Sequence, residues 1–167
     1  MRNWLRRRLG RSRGGVHLHV DGPNVLREEF DVDLAALRQQ AEALDRLAVC
    51  RLYLDEHASP GLVRAAEANG FAVVVTSGDV DVRLAVDATA GVVTGTPEWL
   101  AIASRDADFA PVFDRAAREG VHTAVFTPGD HGRSAALRAV ADVEHRIEGR
   151  ADGALERDPG NSTVGDE

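Results

Sequence analysis

Residues 16–25 of the chain read VHLHVDGPNV. The apolar and β-branched run Val16–Val20 is typical of a strand, and Asp21-Gly22-Pro23 is a turn signal that ends it. A carboxylate therefore stands directly after the first strand, and Asn24 follows three residues later. Ligands of open α/β sheets bind beyond the carboxyl ends of the strands. This segment accordingly predicts the first strand of such a sheet and one side of a candidate site.

Strand-like and helix-like segments alternate along the rest of the chain. Further strands are predicted at Val49–Leu54, Phe71–Val75, Trp99–Ala103 and Val121–Phe126, with a candidate edge strand at Val143–Ile147. Helices are predicted from the cap Asp33 to about Leu47, from Ser59-Pro60 to Asn69-Gly70, over Asp81–Ala90, from Asp106 to just before Gly120, and over Ser134–Val140. The alternation implies right-handed crossovers, and so an α/β fold of three α/β/α layers with a mainly parallel central sheet of about five strands. Because Phe71–Val75 is apolar throughout, we expect helices to cover both of its faces.

Composition and charge set the domain organisation. The 167 residues are interpreted as one domain, 15–149, between a basic leader, 1–14, and a polar tail, 150–167, both expected to be disordered. The net charge is −7, yet the leader is rich in arginine, so it could contact phosphates or simply be solvated. No apolar run reaches the roughly 18 residues of a transmembrane helix, and the leader lacks the apolar core of a secretory signal. A single cysteine, Cys50, excludes an intramolecular disulfide and a cysteine-based zinc site, and we expect a cytoplasmic protein with no membrane partner.

Acidic residues follow two of the predicted strands. Asp21 ends the first, and Asp106 and Asp108 follow the fourth within Ser104–Phe109, SRDADF. If these two strands are neighbours, the three carboxylates converge, and Asp81 and Asp87 come from the segment just before the fourth strand. Carboxylates packed together repel unless a cation neutralises them. Oxygen ligands without cysteine favour a hard cation, Mg²⁺ or Mn²⁺, which can activate a water against a phosphodiester.

Each of these acids also has a purely structural interpretation. Asp21 could begin a turn, Asp106 could cap a helix, and Asp108 could interact favourably with the helix dipole. Asp87 lies four residues after Arg83 and could form a helical ion pair with it. Asp21, Asp106 and Asp108 at matching strand ends together favour a site, with Asp81 next, whereas Asp87 is evenly balanced between the two interpretations.

Three segments of the chain resemble, in the same order, motifs of the NYN domain family. They are DGPNV at 21–25, VDVRLAVDA at 80–88 and SRDADFAPV at 104–112, and the resemblance covers about Val16 to Ile147. NYN domains are PIN-like, so the resemblance implies a PIN-like parallel sheet flanked by helices, an acidic metal site and ribonuclease activity. It implies that the catalytic, metal-binding acids are Asp21, Asp81, Asp106 and Asp108, supported by Asn24, Asp87 and Ser104.

The chain departs from the family pattern near the site. Arg105 stands where the family usually has a small residue, and it could contact a phosphate or partly neutralise the acids. Ser77-Gly78-Asp79-Val80 stands where the family often has a lysine before its middle aspartate, which leaves the substrate contacts open. Arg133 and Ser134, at a predicted helix start, could hold a phosphate, although Ser134 could equally be a plain cap.

These features predict a metal-dependent endoribonuclease that hydrolyses RNA phosphodiester bonds. One alternative is a non-catalytic RNA-binding or regulatory module of the same fold. Another is a Toprim-like phosphotransfer domain, suggested by Asp106-x-Asp108, although such domains typically carry glutamate near the first strand where this chain has Asp21. No G-x-x-x-x-G-K-[ST] or G-x-G-x-x-G motif occurs, so no nucleotide cofactor is expected. RNA is the expected partner, and a homodimer is left open.

Overall fold

Six strands form one sheet in a computed structural model that describes residues 14–129, 135–147 and 149. The strands are β1 Val16–Asp21, β2 Leu47–Asp55, β3 Ala72–Thr76, β4 Trp99–Ala103, β5 His122–Thr127 and β6 Val143–Arg146. The predicted tail, nearly all of the predicted leader, and Arg133 and Ser134 lie outside the described residues. The five predicted strands and the candidate edge strand are therefore all present.

The sheet has the order β3-β2-β1-β4-β5-β6, and every neighbouring pair is parallel. The order reverses at β1, which pairs with β2 on one side and with β4 on the other. Val20 lies opposite Ala103, so β1 and β4 reach their carboxyl ends side by side. The first and fourth strands are therefore neighbours, which was the condition for the carboxylates to converge, and the switch point at which a ligand site is expected lies between them.

Helices connect the strands and form the two outer layers. They are α1 Gly22–Val25, α2 Leu34–Glu42, α3 Pro60–Ala68, α4 Val80–Gly95, α5 Ala110–Arg118 and α6 Ala135–Val140, with 3₁₀ turns at Glu28–Phe30 and Ala107–Phe109. Two predicted caps are observed. Asp33 accepts hydrogen bonds from the N–H groups of Ala35 and Ala36, and Ser59 accepts one from Leu62. The three-layer α/β/α architecture is thus as predicted.

Alternation along β1 divides the molecule into two apolar layers. Val16, Leu18 and Val20 point to the side of α2 and α3 and join one core. The second core, between the sheet and α4, α5 and α6, contains residues such as Leu84, Leu100 and Phe113. The intervening residues of β1 are His17, His19 and Asp21, which are buried as well. A polar row thus runs along the central strand and ends in Asp21.

Three predicted boundaries or environments were wrong. The first helix predicted from the sequence is α2, and it ends at Glu42 rather than at about Leu47. Leu47 instead begins β2, where it lies opposite Val16. β3 is not covered throughout; it is the edge strand, and Val75 is 52% exposed. The predicted helix Asp81–Ala90 continues as α4 to Gly95.

Two glycines explain the continuation of α4. A Cβ added at Gly91 or Gly95 would lie 3.1 or 3.0 Å from ring atoms of His17. These glycines therefore let the helix approach β1 closely and do not terminate it. No helix in the described part of the chain combines the length and the apolar character needed to cross a membrane.

Candidate active site

Asp21 stands at the end of β1, where the chain turns sharply into α1. Its side chain belongs to the buried polar row and is 5% exposed. The turn requires a glycine next, because a Cβ at Gly22 would lie 2.5 Å from both the carbonyl oxygen of Tyr53 and a methyl carbon of Leu54. The backbone thus packs directly on β2 and directs the Asp21 carboxyl group toward the end of β4.

Ser104, the first residue after β4, connects Asp21 to the second acidic segment. The side chain is fully buried, and its hydroxyl donates to Oδ2 of Asp21 at 2.9 Å. The same hydroxyl oxygen accepts a hydrogen bond from the backbone N–H of Asp106 at 3.1 Å. A continuous chain of hydrogen bonds therefore runs from Asp106 through Ser104 to Asp21.

Asn24 forms a second link between the two strand ends. Its side-chain oxygen accepts a hydrogen bond from the backbone N–H of Arg105 at 2.9 Å. Its own backbone N–H lies near the Asp21 carboxylate and favours the charged form. The aspartate and the asparagine of the first motif are thus both engaged with the segment 104–106. This contact gives a physical reason for their spacing.

Burial dominates the protonation of Asp21. The pKa of Asp21 is raised from 3.8 to about 6, mainly by desolvation and also by the negative charges of Asp106 and Asp81, while the hydrogen bonds from Ser104 and Asn24 act in the opposite direction. Among the described residues, no arginine or histidine forms an ion pair with Asp21. The negative charges of Asp81 and Asp106 therefore act on Asp21, and no cationic side chain in the described part of the chain is paired with Asp21 to compensate them.

The other predicted acids occupy different positions around Asp21. Asp106 is partly buried and its Oδ1 accepts a hydrogen bond from the N–H of Asp108, so it also caps the 3₁₀ turn Ala107–Phe109. Asp108 itself is exposed to solvent. Asp81 lies in the first turn of α4, where its Oδ1 accepts from the N–H of Val82 at 2.8 Å. The cap interpretation of Asp106 and its proximity to Asp21 are compatible with each other.

The ligand atoms of these residues are of the type that binds a hard divalent cation, but the residues are too far apart to hold one in their present positions. In the described ranges, no three His, Cys, Asp or Glu side chains are close enough together to hold a metal ion. The ligands offered around Asp21 are nonetheless all carboxylate oxygens, the type that Mg²⁺ and Mn²⁺ prefer. A cation would also supply the positive charge that the buried Asp21 lacks. Metal binding at this edge would consequently have to draw Asp81 and Asp106 closer to Asp21.

Arg105 turns away from the acids. Its guanidinium carbon lies 4.8 Å from the centre of the Phe30 ring, the geometry of a cation–π contact. It forms no ion pair with any carboxylate in the described part of the chain, although its next residue is Asp106. Of the two predicted roles for Arg105, neutralising the acids therefore has no contact to support it.

Asp87 is held in a polar cluster between α4 and the sheet. Both of its carboxylate oxygens lie 3.1 Å from Nε of Arg83, one lies 3.6 Å from Arg51, and the hydroxyl of Tyr53 donates to it at 3.3 Å. The helical ion pair that its spacing allowed is thus formed. The Tyr53 hydroxyl also lies 2.9 Å from Nδ1 of the buried His19.

Sequence reasoning missed Tyr53 and Phe30. Tyr53 is 34 residues from both His19 and Asp87, and Phe30 meets Arg105 from a separate loop. No spacing rule connects residues so far apart. The one available signal was the presence of Tyr53, a polar aromatic residue, near the end of a mainly apolar strand.

Comparisons with known proteins agree with this architecture. A family model described as the NYN domain matches residues 15–148. The chain is 38% identical over 140 residues to the uncharacterized protein MJ0482 of Methanocaldococcus jannaschii; this covers 82% of the chain and 58% of that protein's length. The fold is similar to the crystal structure of a protein of unknown function, VPA0982, from Vibrio parahaemolyticus, with a TM-score of 0.71 and 19% identity. That similarity covers 83% of this chain and 97% of the other.

Proposed function

The chain belongs to the NYN domain family, and on this premise we propose that it is a metal-dependent endoribonuclease that hydrolyses RNA phosphodiester bonds. The family lies within the PIN-like nucleases, which generally act as hydrolases and usually use divalent metals. The proposal extends these general properties to this chain. It includes RNA as substrate, Mg²⁺ or Mn²⁺ as cofactor and the cytoplasm as compartment.

One observation carries the proposal. A buried aspartate, Asp21, ends the central strand at the switch point and shares its surroundings with Asp81 and Asp106, without a cation from the described residues to balance them. Burying a carboxylate among like charges is unfavourable. Such an arrangement is typical of a site whose bound ligand provides the missing positive charge.

In the proposed mechanism, Asp21, Asp81 and Asp106 would hold the cation, and the exposed Asp108 would contribute from the rim of the site. A bound divalent ion supplies a water of lowered pKa and stabilises charge on the phosphate. Ser104 fixes the orientation of Asp21 by donating to it, and Asn24 holds the segment 104–106 in register with β1. Arg105 provides positive charge for the substrate.

The proposal is tested on the wild type and on an Asp106→Asn/Asp108→Asn variant. Mn²⁺ and Mg²⁺ are titrated into both proteins by calorimetry, and both are incubated with labelled single-stranded and structured RNA, with and without chelator. We expect metal binding and cleavage in the wild type and the loss of both in the variant. Asparagine can still cap the turn at Ala107, so the variant should remain folded, which thermal unfolding checks. A wild type that leaves every RNA intact with Mn²⁺ would contradict the proposal.

A second candidate is a non-catalytic RNA-binding or regulatory module with the same fold. The separation of the carboxylates favours it, because no three potential ligands in the described ranges stand ready to hold a metal. This candidate predicts RNA binding that survives chelation and is never followed by cleavage. The Toprim-like alternative is not retained, because the chain belongs to the NYN domain family.

A further inference from the structure

We propose that Phe30 and Arg105 form a phosphate-binding subsite next to the acidic residues, in which the aromatic ring fixes the guanidinium group for a phosphate of the RNA chain. The identity of the ligand as RNA rests on the proposed function. The positioning role of Phe30 goes beyond it. The geometry, the charge and the packing of the two residues each support the proposal.

Arg105 is fixed at its backbone before its side chain begins. Its N–H donates to the side chain of Asn24 at 2.9 Å, and it stands between the buried Ser104 and the partly buried Asp106. Since Ser104 is itself bonded to Asp21, the Cα of Arg105 has a defined position relative to the acids. The subsite is therefore anchored, through the backbone of Arg105, to the same segment that carries Asp106.

Phe30 is held from the opposite side. It ends the 3₁₀ turn Glu28–Phe30 and packs partly buried against the apolar core on the side of α2. Its ring lies against Gly129, where an added Cβ would be 3.2 Å from a ring carbon. Asp31, the next residue, has a left-handed φ of 43°, which non-glycine residues seldom adopt. The loop thus holds the ring between Gly129 and the guanidinium group of Arg105.

The charge of Arg105 has no partner in the described part of the chain. Its Nε is buried without a hydrogen-bond acceptor, and the guanidinium takes part in no ion pair there. Arg38 offers a contrast, because its Nε is also buried but its Nη2 is paired with Glu42 at 3.0 Å. An unpaired and partly desolvated cation is unfavourable until an anion reaches it. Stacking on an aromatic face leaves the planar N–H fork free for a phosphate.

No carboxylate in the described ranges pairs with this guanidinium, although the next residue in the sequence is Asp106. The acids around Asp21 and the cation of Arg105 are instead held apart. This separation suits a substrate that carries negative charge itself, because one phosphate can approach the arginine while a metal ion balances the acids. We therefore assign Arg105 to direct contact with the phosphate, and Phe30 to positioning the arginine.

The test uses the full chain in chelator, so that binding is measured without cleavage. Binding of a labelled oligouridylate is followed by fluorescence anisotropy over a range of salt concentrations for the wild type, Arg105→Gln, Phe30→Leu and Arg64→Gln. Arg64 is exposed on α3, a helix that contributes no residue to the subsite, so Arg64→Gln removes the same charge without touching the subsite. Inorganic pyrophosphate, titrated by calorimetry, serves as a second probe that lacks bases and ribose.

We expect Arg105→Gln to weaken binding by about tenfold and to reduce the salt slope by about 0.7, the value for one lost phosphate contact on a single strand. Phe30→Leu should weaken binding in the same direction with an unchanged charge, and Arg105→Lys should restore only part of the affinity, because lysine lacks the planar fork. Arg64→Gln should behave as the wild type. Thermal unfolding of Phe30→Leu checks that the fold is retained.

The possible outcomes separate this inference from the proposed function. A wild type that binds RNA through Arg105 but never cleaves it would support the subsite and count against the nuclease. A wild type that cleaves RNA while Arg105→Gln keeps the same affinity and salt slope would overturn the subsite alone. If neither oligouridylate nor pyrophosphate binds the wild type, the subsite is overturned as well. A loss of affinity in Arg105→Gln with none in Phe30→Leu would remove the positioning role of the ring.

Discussion

The hydroxyl of Ser104 lies 2.9 Å from a carboxylate oxygen of Asp21 and joins the ends of β1 and β4 across 83 residues of sequence. Because Ser104 also accepts from the N–H of Asp106, its hydrogen is directed to Asp21. One buried hydroxyl group thereby sets the position of the first acid relative to the second.

Replacing Ser104 with alanine should lower cleavage by about 10- to 100-fold, the range measured for residues that orient metal ligands. The hydrogen bond from Ser104 lowers the pKa of Asp21, so its loss should also move the pH profile of cleavage to higher pH. Rates measured over a pH series test both effects. Ser59→Ala, which removes a serine cap at the start of α3, is the control and should leave the profile in place. An unshifted profile in Ser104→Ala would contradict the assigned role.

Replacing Asp21 with asparagine should abolish Mn²⁺ binding and cleavage while making the metal-free protein more stable at pH 8, by about 1 kcal/mol. The asparagine side chain still offers an oxygen to the Ser104 hydroxyl, but it removes a buried charge that Asp81 and Asp106 repel. Urea unfolding in chelator measures the gain. A less stable Asp21→Asn protein would mean that the charge of Asp21 is compensated in the free protein.

The free energy of unfolding should change with pH as Asp21 ionises. Burial raises the pKa of Asp21 from its ordinary value of 3.8 to about 6 in the folded protein, so between these pH values the folded state binds a proton that the unfolded chain has released. The contribution of Asp21 to stability is therefore fully present below 3.8 and is lost as the pH rises through about 6. Metal-free wild type should lose stability relative to Asp21→Asn over this interval. A difference in the free energy of unfolding between the two proteins that stays constant from pH 3.8 to about 6 would rule out the raised pKa of Asp21.

Metal affinity should increase with pH as Asp21 loses its proton, whereas the contribution of Asp21 to stability decreases. Only the ionised form of Asp21 can act as a ligand, so Mn²⁺ affinity should rise with pH up to about 6 and then level off. Binding near pH 5 should release protons, which calorimetry in buffers of different ionisation enthalpy detects. Affinity that does not change with pH between 5 and 7 would place the metal away from Asp21.

Replacing Tyr53 with phenylalanine should destabilise the protein by about 1–3 kcal/mol, although the ring packing is kept. The Tyr53 hydroxyl donates to Asp87, which as a carboxylate accepts, so Nδ1 of His19 must donate to Tyr53. Burial lowers the pKa of His19 to about 3, so the ring is neutral, and at 1% exposure its N–H would lose its acceptor in the variant. Urea unfolding compares Tyr53→Phe with Thr94→Val, which removes an exposed hydroxyl group from α4, the helix that carries Asp87. An equal decrease in the free energy of unfolding of the two variants would refute the prediction.

Much of the fold was predictable because its signals are local. Strand composition, the caps Asp33 and Ser59, and the turn after Asp21 each depend on residues within a few positions of one another. The end of α2 was not predictable in this way, because Leu47 is taken into β2 by pairing with Val16, a contact that helical spacing cannot show. The length of α4 was hidden for a related reason, since Gly91 makes room for a histidine on another element.

The residues of the candidate site fall into the same two groups, those with a local sequence signal and those that are brought together only by the fold. Asp21, Ser104 and Asp106 could be singled out because each stands at the end of a predicted strand, whereas the adjacency of the two strands was visible only in the structure. Phe30 and Tyr53 could not, because they act on Arg105 and Asp87 through contacts that only the folded chain creates. The exposed position of Asp108 was equally invisible, because two acids separated by one residue have the same pattern whichever way each side chain points.

The pairing of β1 with β4 also constrains the order of events during synthesis. A chain that has emerged only as far as α4 already contains Asp21 and Asp81 but lacks the strand that covers the other side of β1. Contacts between residues so distant in sequence form late, because the intervening loop must close first. During translation the incomplete protein should therefore pass through an interval in which its central strand is open on one side. The acidic centre would be assembled only when Ser104 arrives, so a nascent chain would not cleave RNA near the ribosome before it has folded.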